Sequence, residues 1–567
     1  MSVSPYDQSR YMGTVCHVRP TNVEVNLPLA ISPGGSTFAG FSVPSGQVGE
    51  FVVIEGEAQA ILGRVIEVRL PERERLTVEP TADVSIKANP LGVVQLLTAI
   101  DLETGVAIKG IPIFPRIGQH VFSAHPRVIK QAVEPGDRDD ERNVRLAVFP
   151  HAHGTSVSLP AAHIFGRHCA VLGATGGGKS WTVAHLVSEI ARLGGKAILL
   201  DATGEYVGQD PAIEHVYLGG RAVTAEDRRN FVSFPYTQFS ETDLFAMFRP
   251  SASSQVPKLR EALRSLKLAH LVPALANGGL VRKAEQQKRP FEAALIAHGT
   301  TIAELGAEFA IGRLAEQIEE ECVFQTGRQP GTWGGVAQND LGYCSTLISR
   351  IASDVTAQHL ACVFQPLSFN EPLSTSIDRF MGNGEKRILR VSLEFLPFEH
   401  NARELVTNAI GRHLLRMARQ NRFRACPLVV LLDEAHQFLD KNIGDEFSKT
   451  SLDAFGLIAK EGRKYFLTCV LATQRPRDIP EDVLSQMGMF IVHRLINERD
   501  RNVVEKACGN LDSAAASFLP TLGQGEAIVV GIDSPMSLPV LIRTPMLRPH
   551  STGADYSRLW IPVQFAE

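Results

Sequence analysis

Two clusters of residues in this sequence could do chemistry together. The first is Gly173-Ala174-Thr175-Gly176-Gly177-Gly178-Lys179-Ser180, which fits the pattern G-x-x-x-x-G-K-S/T. Glycines let consecutive backbone N–H groups turn inward around phosphate oxygens. A lysine at this spacing places a point charge at the β- and γ-phosphates, and a serine hydroxyl there ligates Mg²⁺. The helix that follows directs its positive end at the same anion. These residues and the next, Trp181, are the candidate nucleotide contacts. The cofactors they imply are ATP and Mg²⁺.

The second cluster closes the stretch "PLVVLLDEAHQFL", an apolar strand that runs into Asp433-Glu434. A buried strand ending in two carboxylates is costly unless they have partners or work. Beside a phosphate loop, Asp433 would complete the Mg²⁺ shell. Glu434 would polarise the attacking water as general base. A nucleotide switch or a kinase needs only the aspartate, so the second acid favours ATP hydrolysis that drives motion.

Four more positions belong to this reading. The apolar run "YFLTCVLAT" ends at Gln474, whose amide could hydrogen-bond the γ-phosphate or the water; the alternative is a surface amide in a turn. Arg463 lies just before that run, where a neighbouring subunit could meet it; the alternative is a solvated arginine. Arg167, ahead of the phosphate loop, and Asp201, ending "KAILLD", are placed near the nucleotide edge of a parallel sheet, because ligands gather at the carboxyl ends of its strands.

The elements that must position these residues alternate. "HCAVLG" reads as a strand, "SWTVAHLVSEIARL" as a helix stopped by Gly194-Gly195, and "KAILLD" as the next strand. Strand, helix and strand in that order imply a parallel sheet with crossover helices. Residues 1–155 read differently. Short alternating segments such as "GEFVVIEG" and "AILGRVIEVRL", broken by Gly, Pro and Asn, indicate short strands in a small barrel or sandwich. Residues 240–372 contain the amphipathic stretches "KLREALRSLKLAHLVPAL" and "IAELGAEFAIGRLAEQIEEE" and read as a helical insertion. "RILRVSLEFLP" returns to a strand. "ELVTNAIGRHLLRMARQ" follows as a helix with Val406, Ile410, Leu414 and Met417 on one stripe. Leu452, Phe455 and Ile458 form another stripe, with Gly462 capping that helix. The expected division is a barrel over 1–155, an ATPase core over 156–239 and 373–545 interrupted by the insertion, and a tail over 546–567.

Composition sets the remaining bounds. The 567 residues are too many for one compact domain, and 44% hydrophobic with 21% charged residues is ordinary for a globular protein. No apolar run reaches the ~18 residues of a membrane-spanning helix. The start, "MSVSPYDQSR", carries no secretory pattern, so a cytoplasmic location without membrane attachment is expected. The eight cysteines form no CxxC pair and read as free thiols in a reducing compartment. With a formal net charge of −4, contact with nucleic acid would have to be local. "HAHG" at 151–154 could suggest metal ligation, and Lys441 and Lys449 contact with DNA, but a solvent-facing reading is preferred for each.

Taken together, "GRHCAVLGATGGGKS", "ILLDATGEY", "VVLLDEAH", "KEGRKYFLTCVLATQRP", "FIVHRLINERD" and "LGQGEAIVVG" resemble the HerA-like ATPases, relatives of the FtsK-type DNA pumps. The barrel ahead of the motor is similar to theirs. The resemblance implies a RecA-like P-loop fold and a homohexameric ring that uses ATP to translocate on double-stranded DNA. It implies a partner as well: a NurA-like nuclease in DNA end processing, or a nuclease or sirtuin-type effector in anti-phage defence. By motif position it makes Lys179 and Ser180 nucleotide and Mg²⁺ contacts, Asp433 and Glu434 the acidic pair, and Gln474 the sensor. It makes Arg167 a cis arginine, Arg463 the candidate trans arginine finger, and Asp201 an acidic residue of the metal shell. A ring scaffold that switches an effector enzyme with little DNA movement is the competing reading. A conjugation or secretion ATPase is the third.

Overall fold

The computed structural model describes residues 4–28, 30, 36–38, 41–43, 46–71, 89–134, 141–150, 155–221, 227, 229–397, 401–439, 442–443, 450–509, 511 and 513–550. The "HAHG" stretch, Lys441, Lys449 and residues 551–567 lie outside these.

In chain order the principal strands begin with β1 (Tyr11–Val18), β2 (Asn22–Asn26), β3 (Phe51–Ile54), β4 (Gln59–Arg69), β5 (Leu91–Asp101) and β6 (His120–Ser123). Next come β7 (Asn143–Val148), β8 (Ser156–Pro160) and β9 (His168–Leu172), then helix α1 (Lys179–Arg192). β10 (Lys196–Asp201), β11 (Ile213–Leu218) and β12 (Asn230–Ser233) precede the helices α2 (Gln255–Leu271), α3 (Arg289–Ala303), α4 (Leu314–Glu321) and α5 (Gln338–Thr356). The chain continues through β13 (Ile388–Ser392), α6 (Ala402–Arg419), β14 (Leu428–Leu432), α7 (Ala454–Glu461) and β15 (Leu467–Thr473). It ends with β16 (Met487–His493), β17 (Glu526–Gly531) and β18 (Leu538–Ile542).

By compactness the chain divides into two units. One comprises Met1–Glu189, Gln474–Arg477 and Met487–Pro545, and the other the remaining segments. In the first unit, β2-β1-β6-β3-β4-β5 form an antiparallel sheet that closes on itself, because β2 also pairs with β5 with Val23 opposite Val94. Closure removes the sheet edges. Val15, Val25, Val52, Ile54, Val65 and Val121 fill its interior. The same unit holds the sheet order β8-β7-β18-β17-β16-β9, in which only β16 and β9 run parallel.

The second unit holds the order β15-β14-β10-β13-β11-β12, parallel throughout. Every residue of β10, β13, β14 and β15 is buried. That is what strands covered on both faces require, and it is why "AILL", "LVVLL" and "LTCVLA" read as unbroken apolar runs. α6 buries Val406, Ile410, Leu414 and Met417, as its spacing requires.

One local reading is corrected, and one is borne out in its own geometry. "IAELGAEFAIGRLAEQIEEE" is not one helix. α3 stops at Ala303, Gly306 takes φ +95°, and α4 starts only at Leu314. A glycine in that region of φ ends a helix by giving the chain a turn that a Cβ would resist. Gly462 does close α7, but at φ −55° rather than in the left-handed form. It is small for a different reason: a Cβ there would lie 2.6 Å from the Leu467 carbonyl oxygen.

Candidate nucleotide site

The phosphate loop links β9 to α1 and lies within the first unit. Gly176 and Gly178 take φ of +77° and +115°, which side chains resist. A Cβ on Gly173 would lie 2.6 Å from His493 Cβ, so this glycine answers a close approach. Gly525 also touches the loop, its N–H donating to the Gly177 carbonyl at 3.1 Å. Lys179 is 7% exposed at the first position of α1. Ser180 is half-buried beside it, and Trp181 is 36% exposed.

His493 forms the floor of the loop. It ends β16, is fully buried, and bridges two partners: Nδ1 lies 2.8 Å from the Glu526 carbonyl and Nε2 lies 2.8 Å from Thr182 Oγ1. A carbonyl only accepts, so Nδ1 carries the proton and Nε2 accepts from the threonine hydroxyl. Burial, reinforced by the Lys179 charge, pushes the imidazole down to about 4, so it is neutral. The string "FIVHRLINERD" contains His493, but nothing in its spacing gives the histidine this role. Gln474 belongs to the same unit, and its amide oxygen accepts from the Thr175 hydroxyl.

The acidic pair lies in the second unit, at the tip of β14. Asp433 is 3% exposed. Its carboxyl is pushed up to about 8, by burial first and then by the charges of Glu434, Asp201 and Glu205. Glu434 takes the left-handed conformation (φ +48°, ψ +45°), uncommon for a residue with a Cβ. Its N–H donates to Asp433 Oδ1 at 3.0 Å. Glu434 Oε2 and Glu205 Oε2 are buried without a well-formed hydrogen bond among the described residues. Oxygen acceptors of this kind are what a hard cation takes, although no three His, Cys, Asp or Glu side chains among the described residues form a ready metal-binding group.

Asp201 does not fit the metal shell. Its Oδ1 accepts the N–H groups of Gly204 at 2.8 Å and Glu205 at 3.2 Å. Its Oδ2 accepts Tyr206 N–H at 3.1 Å and Arg390 Nε at 2.7 Å. Aspartate and arginine are 0% and 1% exposed. Every lone pair is spent on shaping the 201–206 turn and on a buried ion pair, so none remains for a metal.

Arg167 is corrected too. It precedes β9, at the opposite end of that strand from the phosphate loop, roughly 16 Å away at ~3.3 Å per residue. Its Nε and Nη2 grip Asp533 at 2.7 and 3.2 Å. That is a strand-end clamp rather than a nucleotide contact. Arg463 is exposed in the turn Gly462–Tyr465, before the first residue of β15, and its side chain has no ion pair among the described residues.

None of the eight cysteines is in a disulfide, and no described helix is long and apolar enough to cross a membrane.

Comparison with known proteins places these motifs in a family. Residues 147–298 match the central domain of helicase HerA, and residues 424–556 match the HerA-like C-terminal domain, together half of the chain. A DNA double-strand break repair helicase HerA from Saccharolobus solfataricus is 25% identical over 410 residues, covering 71% of this chain and 69% of that protein. A probable helicase from Methanocaldococcus jannaschii is 24% identical over 536 residues, covering 91% of this chain and 90% of its own. The solved structure of VirB4 from Thermoanaerobacter pseudethanolicus aligns with 74% of this chain and 99% of its own, at 13% identity and a TM-score of 0.45. The phosphate loop falls in the first matched region and the acidic pair in the second: the chain belongs to the HerA-like family of P-loop ATPases.

Proposed function

We propose that this protein hydrolyses ATP to move along double-stranded DNA, as a ring of six identical subunits working with a nuclease or another effector enzyme. The observation that carries the reading is the strand tip Asp433-Glu434. One carboxylate is buried among like charges and suited to a cation; the next holds an unmet acceptor oxygen. Relatives named as DNA double-strand break repair helicases support DNA as the track.

In this reading the loop Gly173–Ser180 wraps the phosphates, Lys179 neutralises them, and Trp181 borders the nucleotide. Ser180 and Asp433 would hold Mg²⁺, which screens phosphate charge. Glu434 accepts a proton from a water as the water oxygen bonds to the γ-phosphorus. The bridging P–O bond breaks and ADP leaves with its electron pair. Gln474, whose amide oxygen accepts from the Thr175 hydroxyl of the loop, reads the γ-phosphate. The neutral His493 beneath the loop keeps Thr182 and the start of α1 in place.

The test is ATP turnover by the isolated protein with and without double-stranded DNA across a salt series. Stimulation by DNA that fades steeply with salt supports the motor, because each phosphate neutralised by the protein releases a counterion. Turnover indifferent to DNA at every salt concentration would favour the scaffold that switches an effector. Loss of turnover in Lys179→Ala is expected under both readings.

A further inference from the structure

We propose that His436 is the positioning residue that ties the orientation of Glu434 to the end of strand β15. This rests on the reading of Glu434 as general base. His436 sits in the one-turn helix Ala435–Gln437, just past the acidic pair. Its Nδ1 lies 3.2 Å from Glu434 Oε2 and 3.2 Å from Thr473 Oγ1. One ring nitrogen therefore faces two oxygens at equal distance. The histidine and glutamate side chains are 12% and 15% exposed, so water competes little for them.

Thr473 is the last residue of β15 and is buried. The next residue in the chain is Gln474, whose amide oxygen takes the Thr175 hydroxyl of the phosphate loop. A covalent step thus joins the residue that reads the loop to the residue that holds His436. A carboxylate that must take a proton from water has to be aimed, and that nitrogen lies 3.2 Å from its Oε2. The peptide bond from Gln474 to Thr473, the Thr473 hydroxyl and the imidazole are the links by which a change at Gln474 reaches Glu434. His436 touches neither nucleotide nor water; it acts through the glutamate.

Three variants separate this from a packing role. His436→Phe keeps a ring and removes the nitrogen. His436→Asn puts an amide group close to where Nδ1 stood. Thr473→Val removes the hydroxyl and keeps the shape of a buried strand residue. In His436→Phe and Thr473→Val, ATP affinity measured by equilibrium binding should stay within about threefold of wild type. Their kcat should fall about 10- to 100-fold, the lower part of the range of general-base effects. His436→Asn should recover most of the rate. The double variant His436→Phe, Thr473→Val should be no slower than the worse single, because both cut the same link. A wild-type kcat in His436→Phe, an asparagine variant as slow as phenylalanine, or losses that multiply in the double variant would each overturn the proposal. Glu434→Gln in the same assay keeps the two readings apart. If it turns over normally, the assignment of the base fails. If it is slow while His436→Phe is fast, only the role of His436 fails.

Discussion

The Thr182 hydroxyl donates to His493 Nε2 at 2.8 Å, directly beneath the phosphate loop. The pair joins the first turn of α1 to the end of β16, and it leaves no room for a Cβ on Gly173. His493→Leu would strand the Thr182 hydroxyl and the Glu526 carbonyl in a buried place. Each unmet group costs about 1–3 kcal/mol. The expected result is a loss of roughly 2–4 kcal/mol in denaturant unfolding and a raised KM for ATP. Thr182→Val strands only Nε2 and should lose about half as much. Unchanged stability in His493→Leu would mean that the histidine only fills space.

The same histidine gives acid sensitivity a defined sign. His493 and His413 are both pushed down to about 4, chiefly by burial. Between about 4 and the unfolded value of ~6.5 the unfolded chain binds more protons than the folded one, so stability rises with pH in that window and is lost as pH falls through it. Each costs on the order of 3 kcal/mol of stability once the pH has fallen below about 4. Unfolding midpoints from pH 7 to pH 4 should show this slope. His493→Asn should flatten it and leave the share that belongs to His413. A variant with the wild-type slope would assign the titration elsewhere.

What the sequence shows and what it hides follow from where the information lies. The strands β10, β14 and β15 are legible because strands buried on both faces must be apolar throughout. The phosphate loop is legible because its backbone needs glycine at Gly176 and Gly178. The acidic pair stands out because carboxylates rarely end an apolar run. The roles of His493, Arg390 and His436 are hidden in the sequence, since each works through a partner distant in the chain: Glu526 and Thr182, Asp201, and Thr473. The partners of Arg167 and Asp201 are hidden for the same reason. Position beside a motif suggested the nucleotide, but Asp533 lies 366 residues from Arg167, and the Arg390 side chain that neutralises Asp201 lies 189 residues from it.

The ion pair of Asp201 and Arg390 makes the correction testable. Removing Arg390 leaves an uncompensated buried carboxylate, which costs about 3–5 kcal/mol. Arg390→Ala should therefore unfold at much lower denaturant. Asp201→Asn keeps the shape of the turn and lowers stability without changing the Mg²⁺ concentration that half-saturates ATP turnover. A rise of tenfold or more in that concentration, in a folded Asp201→Asn protein, would return Asp201 to the metal shell.

Arg463 meets β15 at the end opposite Thr473, roughly 20 Å away along the strand at ~3.3 Å per residue. Ligands of parallel sheets gather at the carboxyl ends of the strands. An exposed arginine at the amino end lies away from that edge of its sheet, and the catalytic work proposed for it is done for a neighbour. A guanidinium supplied across an interface stabilises charge developing on the γ-phosphoryl group and is worth about 10³–10⁵ in rate. Arg463→Ala should bind ATP, assemble, and hydrolyse poorly. Lys179→Ala should assemble and fail for a different reason. In the proposed ring, mixing the two inactive proteins joins an intact phosphate loop to an intact arginine at some interfaces, and part of the activity should return. Mixed rings confirmed by mass but inactive at every ratio would place the finger elsewhere. Full activity of Arg463→Ala alone would reduce the residue to a solvated charge.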